Sequence, residues 1–295
     1  MARIVCCGEG MLELTHANGA WDLGYGGDTL NTAIHLARQG HDVRYLTALG
    51  SDPFSARLRE QWAAEGLDLS LVLTHPRRVA GLYAITTDER GERSFTYWRD
   101  ASAAREMFAV ADLDTLAGSI ETADLFCFSL ITLAILPPEH RPLLLELAAQ
   151  VRANGGRVAY DGNYRERLWA GAAEARAAHE QAIAIADIGL PTLEDEQSIC
   201  SHADARAVAE LWSSLGCAEV IVKLGEEGCR LPDGAIVPPE QRLGPVDTSG
   251  AGDAFDAGYL SARANGAPPR EAAAAGHRLA GWTIMRPGAI PPRDS

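Results

Sequence analysis

The spacing of apolar residues divides the chain into short apolar runs and amphipathic stretches. Leu30, Ala33, Ile34 and Ala37 fall at i, i+3, i+4 and i+7, which predicts a helix that ends before Gly40. Apolar runs predict strands at 3–7, 42–49, 123–130, 157–161, 187–190 and 219–224. Helical spacing predicts further helices at 54–65, 139–153, 172–186, 203–215, from 251 onward, and 269–285. Because strands and helices alternate, the sequence predicts an α/β domain whose mostly parallel sheet is covered on both faces.

A hairpin is predicted outside this alternation. The strand-like runs 81–87 and 94–99 flank the polar stretch 88–92, which favours a turn. Together, the segments 11–29 and 80–100 are expected to form a small β-sheet lid on the larger domain.

One face of the predicted hairpin carries unusual chemistry. Side chains alternate along a strand, so Phe95, Tyr97 and Arg99 share a face, and Tyr83 is expected roughly opposite Tyr97. A row that faces a core would not normally contain an arginine. The row is therefore either a binding surface or an exposed edge.

Composition excludes several classes of protein. The 295 residues carry a formal net charge of −14, whereas a nucleic-acid-binding protein needs a basic face. No run of 18 apolar residues is present, so no membrane span is expected, and the first residues enter a strand rather than a signal peptide. The six cysteines form no C-x-x-C pair, which indicates reduced thiols of a cytoplasmic protein. Among the 26 basic residues Lys223 is the single lysine, either by chance in an arginine-rich chain or for its chemistry.

The stretch 247–253 is too rich in glycine for regular structure and leads into the helix predicted from 251. The first turn of a helix leaves N–H groups unpaired, and its dipole favours anions. Gly250 and Gly252 lack a Cβ, so an anion can approach the backbone closely. Asp253 then either caps the helix, or accepts a hydroxyl proton while the N–H groups hold a transferring phosphoryl group.

A second glycine turn, at 26–31, leads into the first predicted helix. Asp28 is well placed there as an N-cap, a role that is compatible with binding hydroxyl groups. In a parallel sheet, polar residues at the carboxyl ends of strands mark the ligand crevice. The residues expected at such ends are Asp161, Asn163, Arg165 and Lys223.

The string at 247–253, Asp-Thr-Ser-Gly-Ala-Gly-Asp, resembles the D-T-x-G-A-G-D signature of the ribokinase-like (PfkB) carbohydrate kinases. The match covers nearly the whole chain, 1–295, and includes Gly-Gly-Asp-Thr-Leu-Asn at 26–31. Within the family the chain is similar to 2-keto-3-deoxygluconate kinases, because it carries Tyr-Trp-Arg at 97–99 and Asn-Tyr-Arg-Glu-Arg-Leu-Trp at 163–169. The resemblance implies a single Rossmann-like α/β/α sandwich with a β lid, the use of ATP and Mg²⁺, K⁺ in some members, and a homo-oligomer.

The resemblance also implies roles for individual residues. Asp253 is the expected catalytic base, and the expected anion hole is formed by the N–H groups of Gly250, Ala251 and Gly252. The substrate-binding residues that it implies are Gly27, Asp28, Asn31, Tyr83, Tyr97, Arg99, Arg165 and Asp253. The nucleotide-binding residues that it implies are Lys223, Gly225, Gly228, Asn163, Gly250, Gly252 and His277. The metal-binding residues that it implies are Glu196 for Mg²⁺ through water, and Asp247 and Thr248 for a monovalent cation.

One departure concerns an N-x-x-E motif that family members often carry near the nucleotide and metal. The matching stretch here, 193–196, reads Leu-Glu-Asp-Glu, so the asparagine is absent. Glu196 is then the residue expected to act through metal-bound water.

Charge supports a sugar acid as the substrate. Arg99 and Arg165 are donors suited to a planar carboxylate, which an acidic protein would otherwise repel. The expected reaction is ATP-dependent phosphorylation of 2-keto-3-deoxy-D-gluconate at its C6 hydroxyl. Two alternatives stay open: a kinase for a neutral sugar such as fructose, and a catalytically silent sugar-acid sensor.

Overall fold

Strands form three sheets in the computed structural model, which describes residues 1–17, 20–87, 93–200 and 204–293. The strands are β1 (Arg3–Cys7), β2 (Met11–Ala17), β3 (Ala20–Gly26), β4 (Asp42–Leu49), β5 (Val72–Thr74), β6 (Leu82–Thr87), β7 (Arg93–Trp98), β8 (Leu125–Ser129), β9 (Arg157–Asp161), β10 (Ile188–Gly189), β11 (Glu219–Val220), β12 (Val222–Lys223), β13 (Cys229–Arg230) and β14 (Ile236–Val237). The main sheet has the order β11-β10-β9-β8-β1-β4-β5 with all neighbours parallel, which confirms the predicted α/β class. Strands β12, β13 and β14 form a small antiparallel sheet.

The chain order reverses at β1, which is the structural reason for a crevice there. From β1 the chain moves outward to β4 and β5, and it later fills the other side with β8, β9, β10 and β11. The loops that leave β1 and β8 therefore diverge at their carboxyl ends. In open α/β sheets ligands bind at such a switch point.

Helices cover both faces of the main sheet. They are α1 (Asp28–Arg38), α2 (Pro53–Ala64), α3 (Met107–Val110), α4 (Leu113–Ile120), α5 (Leu130–Ile135), α6 (Arg141–Ala153), α7 (Ala172–Ile185), α8 (Leu193–Cys200), α9 (Ala205–Ser214), α10 (Ala251–Ala264) and α11 (Pro269–Ile284). Helices α1, α2, α10 and α11 pack into one apolar core, and α4, α6, α7 and α9 pack into the other. Alternate residues of β1 enter different cores: Ile4 and Cys6 enter one, Val5 and Cys7 the other. This alternation explains why β1 is a continuous apolar run.

The second sheet has the order β3-β2-β6-β7 and stands apart from the main sheet. Strands β6 and β7 are antiparallel and pair Tyr83 with Tyr97, which is the register predicted from the sequence. The predicted turn at 88–92 lies outside the described residues. Strand β2 joins the hairpin through parallel pairing with β6.

Several local expectations need correction. Asp28 is the first residue of α1 and not its N-cap, which is Gly27. The predicted strand at 219–224 is divided into β11 and β12. The short helices α3, α4, α5 and α8 were not predicted, because none is long enough to show a clear helical period.

The cysteines and the lengths of the helices can be compared with the sequence predictions. All six cysteines are free and five are buried, as expected for reduced thiols. Among the described residues no helix is long and apolar enough to cross a membrane.

Candidate active site

The glycine turn before α10 presents backbone N–H groups to a cavity. Gly250 is the N-cap of α10 with φ 69°, and a Cβ there would lie 2.5 Å from Cβ of Ala289, so the turn requires glycine. Within the described residues the N–H groups of Gly250 and Gly252 have no acceptor. The N–H of Ala251 donates to the carbonyl of Thr248 at 3.2 Å. Two of the three predicted donors are thus available to an anion, and the third is engaged within the turn.

Asp253 lies in the first turn of α10 and is held by α1. Its Oδ2 accepts a hydrogen bond from Nδ2 of Asn31 at 2.7 Å, and its carbonyl accepts one from Oγ1 of Thr32 at 3.3 Å. Burial, reinforced by repulsion from Asp28, raises the pKa of Asp253 to about 8. A carboxylate with a pKa near neutrality is suited to accept a proton from a hydroxyl group.

The turn before α1 brings Asp28 to the same place. A Cβ at Gly27 would lie 2.2 Å from the carbonyl oxygen of Glu9, so this approach of the two segments requires glycine. The Asp28 carboxylate accepts hydrogen bonds from Oγ of Ser129 and, at 3.4 Å, from Nδ2 of Asn163. Burial raises the pKa of Asp28. Asn163, expected at the nucleotide, therefore contacts the residue expected to hold the sugar.

Lys223 lies beneath the turn and is paired with two carboxylates. Its Nζ is 3.0 Å from Oδ1 of Asp161 and 3.0 Å from both carboxylate oxygens of Asp256. Burial opposes the charge of Lys223, but the two carboxylates outweigh it and raise the pKa of the ammonium group. Burial also raises the pKa of Asp256, and Lys223 offsets only part of that effect. Nζ is 3.8 Å from where a Cβ of Gly252 would lie, so this buried group supports the anion-binding turn.

A cavity of about 610 Å³ opens on one side of the turn. Five residues expected at the nucleotide line it: Lys223, Gly225, Gly228, Gly252 and His277. Two aromatic residues that were not expected at the site, Phe255 and Trp282, also line the cavity. Its size suits a nucleotide-sized ligand, and aromatic walls suit a planar base.

Tyr83, Phe95 and Tyr97 of the second sheet form an aromatic wall. The rings of Tyr83 and Tyr97 are stacked with centroids 5.6 Å apart, and Phe95 stacks on Tyr97 at 6.4 Å. The hydroxyl of Tyr83 donates to Oε2 of Glu13. Burial, followed by the charge of Glu13, raises the pKa of Tyr83, so this phenol stays protonated.

Arg99 lies on this wall but already has a partner. Its Nη2 and Nε lie 2.5 and 2.8 Å from Oε2 of Glu9, and the two side chains are only 6% and 0% exposed. Sequence reasoning missed Glu9, which stands in the glycine-flanked turn after β1. Arg99 is therefore half of a buried ion pair rather than a free cation.

Arg165, which is expected at the substrate carboxylate, also has an acidic neighbour. Its Nη1 lies 3.5 Å from Oδ1 of Asp195, and its side chain is 45% exposed. The guanidinium carbon of Arg167, two residues later, lies 3.8 Å from the ring centroid of Tyr97. The structure thus brings Arg167, and not Arg165, against the aromatic wall.

Glu196, which is expected to act through metal-bound water, lies in the core of the protein. Glu196 is fully buried, and its Oε1 lies 2.9 Å from Nε2 of His179, whose other ring nitrogen contacts the hydroxyl of Tyr160 at 2.7 Å. Asp195 is only partly buried beside Arg165, and burial raises its pKa to about 6. Successive helical residues point about 100° apart. The first turn of α8 therefore directs Asp195 to the cleft and Glu196 into the core.

The carboxylate of Asp247 is hydrogen-bonded to the glycine turn and to the segment after α11. Its Oδ1 accepts from the N–H of Ser249 at 2.9 Å, and its Oδ2 accepts from the N–H of Gly288 at 2.7 Å. Asp247 is buried, whereas the side chain of Thr248 is exposed and lines the cavity. The carboxylate thereby joins the glycine turn to the segment that follows α11.

Comparisons with known proteins identify the family of the chain. The model of the pfkB family carbohydrate kinase matches residues 1–295. The 2-dehydro-3-deoxygluconokinase of Dickeya dadantii is 39% identical, over 99% of this chain and 98% of its own. Two solved structures share the fold at 21% identity: 2-dehydro-3-deoxygluconokinase from Thermotoga maritima (TM-score 0.86, covering 98% of this chain and 94% of its own) and a putative ribokinase II from E. coli in complex with ATP and Mg²⁺ (TM-score 0.85, 98% and 95%). The chain belongs to the pfkB family of carbohydrate kinases.

Proposed function

We propose that the chain transfers the γ-phosphoryl group of ATP to the C6 hydroxyl of 2-keto-3-deoxy-D-gluconate and forms 2-keto-3-deoxy-6-phosphogluconate. The observation that carries the proposal is the position of Asp253. It stands beside the open N–H groups of the glycine turn, and that turn borders a nucleotide-sized cavity. The identity to a relative of that name, 39% over nearly the full length, supports the choice of substrate.

In the proposed reaction, the C6 hydroxyl lies against Asp253, which takes its proton as the hydroxyl oxygen attacks the γ-phosphorus. The bond from that phosphorus to the bridging oxygen breaks, and ADP leaves with the bonding electrons. The N–H groups of Gly250 and Gly252 and the positive end of the α10 dipole stabilise the negative charge on the transferring phosphoryl group. The buried pair of Lys223 and Asp256 holds the turn in place for this step.

The sugar is proposed to lie between α1 and the aromatic wall. Oδ1 of Asn31 is buried and has no partner among the described residues, so it can accept a hydroxyl hydrogen while Nδ2 holds Asp253. Gly27 and Asp28 are proposed to hold further hydroxyls, and Tyr83 and Tyr97 to cover the keto end. The second sheet is proposed to act as a lid that closes over the sugar and excludes water.

Mg²⁺ is proposed to enter with ATP. Oxygen ligands of the kind that it prefers are present at the cleft, and Asp195 is the carboxylate best placed to receive it through water. When bound, Mg²⁺ neutralises charge on the phosphate oxygens. A monovalent cation such as K⁺ near Asp247 and Thr248 is proposed from the family resemblance alone, and the rate with and without KCl tests it.

Assembly and location are also proposals. We propose a homo-oligomer, because Trp21 and Trp98 of the second sheet are more than half exposed and offer apolar surface. Light scattering of the purified protein tests the oligomeric state. A cytoplasmic location is proposed from the free cysteines, and fractionation of the host cell tests it.

The decisive experiment is a coupled assay of ADP release over a panel of sugar acids and neutral sugars. The proposal expects turnover with 2-keto-3-deoxygluconate that far exceeds turnover with fructose. Preference for fructose would favour a neutral-sugar kinase, and binding of the acid without ADP release would favour a sugar-acid sensor. The stereochemical preference between gluconate and galactonate derivatives is read from the same panel.

A further inference from the structure

Three side chains of the kind that bind metal ions meet between α7 and α8. Glu196 and Cys200 stand four positions apart on α8, so they share one face of that helix, and His179 approaches them from α7. The ligand atoms of the three side chains all lie within 4.8 Å of one another. None of the three is needed to hold the sugar or the nucleotide in the proposed reaction.

The carboxylate of Glu196 lacks the partners that a buried anion requires. The side chains of Glu196 and His179 are both 0% exposed, and Oε1 of Glu196 lies 2.9 Å from Nε2 of His179. Oε2 of Glu196 is buried and has no hydrogen-bond partner among the described residues. A buried carboxylate is costly unless a cation or a proton neutralises it. A positive ion between these side chains therefore lowers the free energy of the folded protein.

The ring of His179 is held in an orientation that suits a metal ligand. Its Nδ1 lies 2.7 Å from the hydroxyl oxygen of Tyr160, and the ring of Trp212 packs edge to face against it with centroids 5.3 Å apart. The other ring nitrogen, Nε2, points at Glu196. Histidines that bind metals commonly use one nitrogen for the ion while the other makes a hydrogen bond that fixes the ring.

Cys200 adds a sulfur ligand at the partly exposed end of the cluster. Burial raises the pKa of this thiol to about 11, an effect that Glu196 and Glu180 reinforce and Arg176 opposes. The thiol therefore carries its proton when no ion is bound. A divalent ion replaces that proton, which leaves to solvent as the bond from the ion to the thiolate forms. Because Cys200 is partly exposed, an ion can reach the cluster from solvent.

We infer that His179, Glu196 and Cys200 bind one Zn²⁺ ion through Nε2, a carboxylate oxygen and the thiolate sulfur, with water as the fourth ligand. Nitrogen and sulfur ligands select Zn²⁺ over Mg²⁺, which prefers oxygen. The thiolate and the carboxylate balance the charge of the ion, so the core gains no net charge. Ligand atoms of a tetrahedral zinc site lie about 3.3–3.6 Å apart, so small side-chain rotations suffice to form it.

The ion ties α7 to α8 and acts as a structural centre. It is distinct from the Mg²⁺ proposed to enter with ATP, because the carboxylate proposed for that ion is Asp195, which lies beside Arg165 at the cleft. The zinc site does not depend on the identity of the substrate, so it can be tested independently of the proposed function.

The test titrates Co²⁺, a coloured substitute for Zn²⁺, into the chelator-treated full-length protein in the presence of excess Mg²⁺. Wild type is expected to bind one equivalent and to show a thiolate-to-cobalt charge-transfer band with the visible bands of a tetrahedral ion. Cys200→Ser is expected to abolish the charge-transfer band. Tyr160→Phe, which removes the hydrogen bond to His179, is expected to weaken binding by about 10–100-fold. The affinity of wild type is expected to rise about tenfold per pH unit near neutrality, because one proton is released.

A second cysteine that contacts a histidine provides the matched control. Sγ of Cys229 lies 3.6 Å from Nε2 of His277, and Cys229→Ser is expected to keep the band. One equivalent of Zn²⁺ is expected to raise the melting temperature of wild type and not that of Cys200→Ser, whose fold is checked by circular dichroism. Folded wild type without a tetrahedral cobalt spectrum, or a charge-transfer band that persists in Cys200→Ser or is lost in Cys229→Ser instead, overturns the inference.

Discussion

Nδ2 of Asn31 lies 2.7 Å from Oδ2 of Asp253 and joins two helices whose residues are 222 positions apart in the chain. The bond orients the carboxylate and favours its charged form, whereas burial and Asp28 favour its neutral form. The balance leaves Asp253 with a pKa of about 8, so the group can gain and release a proton under working conditions.

The first prediction concerns Asp253→Asn, which keeps the shape of the side chain and removes its basicity. We expect kcat to fall by about 10²–10⁴, because this is the usual contribution of a general base. The KM for ATP should change little, since the N–H groups of the glycine turn remain. Steady-state kinetics measure both values, and Asp114→Asn on the exposed surface of α4 serves as the control. Near wild-type kcat in Asp253→Asn would remove Asp253 from the mechanism.

The second prediction concerns pH. A base must be deprotonated to act, so kcat/KM is expected to rise with pH and to level off above about 8, the pKa of Asp253. The charged and polar groups that influence this carboxylate are Asp28, Asp161, Lys223, Asp256, Asn31 and Tyr83. Lys223→Met removes a cation and should move the profile to higher pH, whereas Asp161→Asn removes an anion and should move it to lower pH.

The diagnostic result is that the midpoint of the pH profile of kcat/KM shifts in opposite directions in Lys223→Met and Asp161→Asn. A purely structural role for Lys223 and Asp161 would lower activity at every pH and leave the midpoint unchanged. Lys223→Met leaves the buried Asp256 and the partly buried Asp161 without their cation, so the fold of this variant is checked by circular dichroism. Asp161→Asn alone still tests the direction of the shift.

The sequence predicted the parts of the site that depend on local geometry. The register of Tyr83 and Tyr97 followed from strand alternation, and the anion-binding turn followed from two glycines before a helix. The pairing of Arg99 with Glu9 was missed, since nothing local reveals that the turn after β1 meets the end of β7. This contact depends on how the second sheet packs against the main sheet, which local sequence patterns do not reveal.

The burial of Glu196 could not be predicted for a different physical reason. Residues 194, 195 and 196 are all acidic, so the sequence alone does not show which of them faces the cleft. Only the orientation of α8 distinguishes them, and that orientation is set by packing against α7 and α9. Arg167 was missed because its neighbour Arg165 matched the expected motif and its contact with Tyr97 is visible only in three dimensions.

The third prediction separates Asp195 from Glu196. Asp195→Asn is expected to raise the Mg²⁺ concentration needed for half-maximal rate several-fold, since a charged oxygen ligand near the phosphates is lost. Glu196→Gln is expected to lower the melting temperature and leave the Mg²⁺ dependence unchanged, because it alters the buried contact with His179. Titration of the rate with Mg²⁺ and a thermal melt of each variant give both results. The reverse pattern would restore Glu196 as the metal-side acid.

The fourth prediction concerns the buried ion pair of Glu9 and Arg99. Glu9→Ala leaves the guanidinium group buried without its partner, which should cost about 3–5 kcal/mol of unfolding free energy. The exposed pair of Arg206 and Glu210 provides the matched control, and Glu210→Ala should cost under about 1 kcal/mol. Urea unfolding of both variants measures the difference. Equal losses would mean that the buried pair contributes no more than a surface pair.

The last prediction concerns motion of the second sheet. The contacts that join it to the rest of the protein include the stacking of Arg167 on Tyr97 and the ion pair of Glu9 with Arg99. A sugar bound beneath the sheet is expected to add contacts that exist only in a closed state and so to favour that state. Hydrogen exchange at the amides of 82–87 and 93–98 should therefore slow when 2-keto-3-deoxygluconate is added, while exchange in α6 should not change. Exchange that is equal with and without the sugar acid would show that this sheet is a fixed wall rather than a lid.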